Sequence, residues 1–66
     1  MTLIINGQAM DFDDNKSIQE ILDILNIESK VVAIALNSNL VQKERYDDTF
    51  PNDSDRIELL QFVGGG

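Results

Sequence analysis

Helical periodicity appears in one segment of the chain, "SIQEILDILN", and it makes a single stripe. Ile18, Ile21, Leu22 and Leu25 recur at helical spacing, while Gln19, Asp23 and Asn26 lie mostly off that line. Ser17 is a good N-cap, and Glu20 sits where it completes a capping box. Asp13 and Asp14 lie just upstream, near the positive end of the helix dipole. A helix with one apolar stripe covers one face of something, and the rest of the chain reads as strands. With 66 residues the chain holds one domain, and a chain this short buries only about 60% of its unfolded surface. It contains no cysteine and no histidine, so neither disulfides nor ordinary zinc sites staple it. Its apolar share of 42% is ordinary, and the fold must rest on a compact hydrophobic core.

The strands are read from the segments around the helix. "MTLIINGQAMDF" is a hairpin, with Thr2 to Ile5 rich in β-formers and Asn6-Gly7 the favoured pair for a type I′ turn. "VVAIALN" is an almost wholly apolar strand, expected to be central and well covered. Asn37, Ser38 and Asn39 mark a turn, and "LVQ" suits a short edge strand. "KERYDDTFPNDSD" is loop-rich and precedes a last strand, "RIELLQFV". The order β-β-α-β-(β)-β predicts an α+β fold, a mixed sheet of four to five strands with one helix on one face.

The other face then has no helix to cover it. In the last strand Ile57 and Leu59 share one parity, and Glu58, Leu60 and Phe62 share the other. If the first set faces the helix, Leu60 and Phe62 face outward, together with Ile4 of the first strand. An apolar patch of that kind marks a partner surface, unless Tyr46 or Phe50 folds over it or the parity is inverted.

Chemistry is scarce among the side chains. Without histidine or cysteine there is no neutral-pH base, no thiol nucleophile and no Ser-His-Asp arrangement. Gly7 is the lone glycine outside the tail, so no phosphate-binding loop exists. Asp11, Asp13 and Asn15 have calcium-loop spacing, but Lys16 and Leu22 occupy the glycine and final glutamate positions, and the pattern fails. Asp53 and Asp55 are better read as turn caps than as an acid-base pair. An autonomous enzyme is not expected, nor a bound metal. Five basic residues against twelve acidic ones give a charge of -7, which repels nucleic acid and suits solubility or docking on a basic partner. The opening residues carry no charged-then-apolar leader and no run long enough to span a membrane, so the cytoplasm is the expected location.

The ending "QFVGGG" leaves two readings open. A glycine tail has no Cβ, threads a narrow channel in extended form and leaves the Gly66 acyl carbon accessible to attack. Its carboxylate becomes an electrophile once an enzyme makes it a mixed anhydride. The other reading is a frayed end or an expression scar.

The sequence resembles the ThiS family, the ubiquitin-like sulfur carriers of thiamine biosynthesis. "IINGQ", the short helix and "VAIALNSNLVQKERY" carry the likeness, the last being similar to the family's "VAVAVNGEIVPRSEW" block. "DSDRIELLQFVGGG" is similar to the family's "DGDRVEIV…GGG" close. Ser54 stands where the family has glycine, Asn37-Ser38 where it has Asn-Gly, Gln42-Lys43 where it has Pro-Arg, and Tyr46 where it has tryptophan. The resemblance implies a β-grasp domain over residues 1–63 and a flexible glycine tail over residues 64–66. It implies that a ThiF-type adenylating enzyme, using ATP and magnesium, activates Gly66, and that a cysteine-desulfurase persulfide supplies sulfur. Thiazole synthase (ThiG) would then accept sulfur from the Gly66 thiocarboxylate. Gly64 and Gly65 would thread partner channels, and Ile4, Leu60 and Phe62 would dock the sheet face. The carrier itself would bind no cofactor and be a monomer when free. A molybdopterin-pathway carrier, a protein modifier or a non-covalent interaction domain are the alternatives.

Overall fold

The computed structural model describes residues 1–61. Five strands form one sheet: β1 (Thr2–Ile5), β2 (Gln8–Asp11), β3 (Val31–Leu36), β4 (Asn39–Val41) and β5 (Arg56–Gln61). Their order across the sheet is β2-β1-β5-β3-β4. The β1–β5 pair is parallel, and the other three pairs are antiparallel. One helix, α1 (Ile18–Leu25), crosses one face. This is the mixed α+β sheet that the element order predicts, and the β-grasp arrangement that the resemblance implies.

Local chemistry accounts for the boundaries. Asn6 and Gly7 turn β1 into β2 with φ of 50° and 83°, the positive values that a type I′ turn needs. At α1 the capping box is complete. The Glu20 backbone N–H donates to Ser17 Oγ at 3.1 Å, and the Ser17 N–H donates to Glu20 Oε1 at 3.0 Å. That bond to the Ser17 backbone is the main cause holding the Glu20 carboxyl below its ordinary pKa of 4.5. Asn26 ends the helix in the left-handed region at φ 57°.

The core lies between α1 and the inner sheet face. Leu3, Ile5, Ile34 and Ile57 from the sheet meet Ile18, Ile21 and Leu22 from the helix. Leu25 and Leu59 pack half-buried against them. The strand parities deduced from the sequence therefore hold for β1 and β5.

Three features depart from the sequence reading. β5, not β3, is the central strand, and β3 is covered on one face alone, with Val32 exposed. A bulge between Val31 and Ala33 makes Val32 the extra residue, so Val31 still faces the core alongside Ile34 and Leu36. Within the segment read as loop, Lys43–Asp48 forms a 3-10 helix that packs on α1 and drives Tyr46 into the core. Burial, helped by the nearby Glu44 charge, raises the Tyr46 phenol above its ordinary pKa.

Candidate functional site

The outer sheet face is built by the residues that β1, β3, β4 and β5 point away from the helix. Across β4, β3 and β5, Leu40 pairs with Ala35, and Ala35 with Glu58. One step along, Ala33 pairs with Leu60. Cross-strand partners share a face, so these side chains form one surface. Leu60 is 62% exposed and Leu40 72%, against 1% for Ile57 and Ile34 on the inner face. Two alanines between two leucines leave a shallow groove of about 230 Å³, rimmed by Asn6 and Glu58. Toward β1 the face continues through Ile4, which is half-buried and opposite Arg56.

Nothing in residues 1–61 folds over this surface. Tyr46 belongs to the core cluster on the helix side, and Phe50 is itself exposed. The structure thus places Ile4 and Leu60 on one open face, as their parity requires. Phe62, Gly64, Gly65 and Gly66 lie outside the described residues, as does Val63, the last residue of the expected strand. Leu40 is a member of the face that the sequence reading missed. Alternation puts Leu40 and Val41 on opposite faces, but only the packing of half-buried Val41 on the core shows which of them points outward.

The acidic side chains of Asp11, Asp53 and Asp55 make structural hydrogen bonds. Asp53 Oδ1 accepts from the Thr2 N–H at 2.6 Å, and Asp55 Oδ2 accepts from the Asn52 N–H at 2.8 Å. Asp11 Oδ1 accepts from the Thr2 hydroxyl at 2.6 Å. No cluster of metal-ligating side chains occurs among the described residues. Nor is any helix there long and apolar enough to cross a membrane.

Comparison with known proteins agrees with this geometry. The ThiS family profile matches residues 3–66. Sulfur carrier protein ThiS of Bacillus subtilis (strain 168) is 37% identical over 65 residues, covering 97% of this chain and 98% of the relative. Sulfur carrier protein ThiS of Escherichia coli (strain K12) is 30% identical over 66 residues, covering 100% of each. A thiazole synthase of Paramagnetospirillum magneticum (strain ATCC 700264 / AMB-1) is 35% identical over all 66 residues, which make up 20% of that protein. Among solved structures, the crystal structure of the thiamine biosynthesis protein ThiS from Geobacter metallireducens superposes with a TM-score of 0.80. The two are 31% identical, and the match covers 100% of both chains.

Fold and face together define a small ubiquitin-like β-grasp protein with one sheet face left open. The chain belongs to the ThiS family, the sulfur carriers of thiamine biosynthesis.

Proposed function

We propose that this protein carries sulfur for thiazole formation on the carboxyl group of Gly66. The observation that supports this most is the family match, which runs through to Gly66 over essentially the whole length of the curated carriers. The outer sheet face supplies the dock. Ile4, Leu40 and Leu60 bury apolar surface on a partner, with Phe62 extending the patch, while the net charge of -7 favours a basic rim around it. Beyond Gln61, each extended residue reaches about 3.3–3.6 Å, so the tail spans a channel roughly 15 Å deep while the sheet stays outside. Gly64 and Gly65 suit the narrow part because they lack side chains.

The chemistry belongs to the partners. An adenylating enzyme with ATP and magnesium joins AMP to the Gly66 carboxylate and releases pyrophosphate. The terminal sulfur of a cysteine-desulfurase persulfide attacks the acyl carbon and expels AMP. A second thiol then attacks the cysteine sulfur of this acyl disulfide, forming a new disulfide with that cysteine and releasing the thiocarboxylate. Thiazole synthase then takes the sulfur. The Paramagnetospirillum magneticum relative, a thiazole synthase one fifth of which matches this chain, supports that last partnership.

Intact-mass spectrometry tests the proposal. After incubation with its cognate adenylating enzyme, ATP, magnesium and a persulfide donor, the chain gains the mass of one O-to-S exchange. A ladder of lysine conjugates instead identifies a protein modifier. An unchanged mass identifies a non-covalent interaction domain.

A further inference from the structure

The β1 strand ends too early to flank all of β5. Their last paired residues are Ile5 and Ile57, and the chain then turns at Asn6-Gly7 into β2. Along β5, alternate residues address opposite neighbours: Arg56 O accepts from the Asn37 N–H on the β3 side, and Ile57 O accepts from the Asn6 N–H on the β1 side, at 2.8 and 2.9 Å. Leu59 therefore presents its N–H and C=O where β1 has no further strand residue. The Asn6 side chain meets both. Its Oδ1 accepts from the Leu59 N–H at 2.7 Å, and its Nδ2 donates to Leu59 O at 3.3 Å. A carboxamide offers the same donor and acceptor as a peptide group, so Asn6 extends the β1 edge by one artificial residue. Asn6 is suited twice over, since its φ of 50° is one that asparagine tolerates. The opposite edge of the same stretch is held by the Ala33–Leu60 and Val31–Gln61 pairs across the bulge.

We propose that Asn6 is a positioning residue for the terminus. Its carboxamide stands in for the missing strand beside Leu59 and fixes the direction in which β5 leaves the sheet at Gln61. In the adenylating enzyme, that direction decides whether the carboxylate sits where ATP is attacked. This role rests on the carrier reading above, and it separates two functions of one surface. Leu60 and Leu40 govern how tightly the chain docks. Asn6 governs how often the docked terminus is in line.

The variants Asn6→Gly and Asn6→Asp test it, because glycine and aspartate both keep the positive-φ turn. Glycine removes the clamp, whereas aspartate keeps the acceptor for the Leu59 N–H and loses the donor. Two readouts are taken: hydrogen exchange at the Leu59 amide, and steady-state kinetics of thiocarboxylate formation with the cognate adenylating enzyme. In Asn6→Gly, Leu59 exchange accelerates and kcat falls roughly ten- to hundredfold while KM stays within about twofold. Asn6→Asp falls between it and the wild type. Unchanged Leu59 exchange in Asn6→Gly overturns the clamp. Faster exchange with an unchanged kcat, or a rise in KM alone, overturns the positioning role. A wild-type chain that takes up no sulfur overturns the carrier reading, and the positioning role with it, whatever Leu59 does.

Discussion

Both faces of the sheet carry aliphatic side chains, and these have opposite fates. On the inner face Leu3, Ile5, Ile34 and Ile57 are sealed against α1. On the outer face Leu40 and Leu60 stand in solvent, and Ala33 and Ala35 lie between them. Residue type does not separate Leu3 from Leu60, and strand parity does. Among the described residues α1 is the one α-helix, and it covers one face, so that face makes the core and Leu40 and Leu60 on the other stay exposed. In the docking proposed above, stability and partner binding are written into alternating positions of the same strands.

The largest effect expected is on the inner face. Ile57→Ala removes a fully buried side chain from the central strand and costs about 2–5 kcal/mol, measured by denaturant unfolding. A small domain has little more than that in reserve, so this variant sits near its unfolding threshold. A loss under about 1 kcal/mol would break the comparison, because the inner face would then not be the core. On the outer face, Leu60→Asp leaves unfolding within about 0.5 kcal/mol of wild type. The same change weakens binding to the adenylating enzyme by roughly tenfold or more in a calorimetric titration. A stability loss of about 2 kcal/mol there would mean that the parity is inverted.

Changes that touch neither face sharpen the scale. Ser38 and Ser54 both stand at φ 71°, in the left-handed region that favours glycine. Ser38→Gly and Ser54→Gly each stabilise the chain by about 0.5–1 kcal/mol, read as a melting point raised by a few degrees, with partner binding unchanged. A lowered melting point would show that the serine side chains contribute more than the backbone strain costs. The smallest effect is at Glu20. Its carboxyl is held below the ordinary value of 4.5 by the capping box, so that contribution is complete above pH 4.5 and lost as pH falls through the lower folded pKa. Acid titration of Glu20→Gln shows a flatter stability profile over that window than wild type does.

What was legible in the sequence was local. The Asn6-Gly7 turn, the Ser17–Glu20 cap and the Ile18-Ile21-Leu22 stripe each lie within a few residues, and each appears where its chemistry places it. The faces of β1 and β5 followed from alternation alone. The illegible parts depend on contacts distant in sequence. Nothing in "VVAIALN" marks Val32 as a bulge, because the bulge exists relative to β5. Tyr46 reads as a loop aromatic until α1 offers it a wall. Asn6 was recognised for its turn, but its second role needs Leu59, a residue 53 positions away. The outward place of Leu60 was legible, whereas that of Leu40 required knowing which side of β4 packs on the core.

The central claim is that the fold and the reactive end are separable, with sulfur carried on the final carboxyl group. Deleting Gly66 tests this most directly, by intact mass in the assay where the full chain gains sulfur. The account predicts an unchanged melting curve and no mass gain. Sulfur uptake by the shortened chain would contradict it.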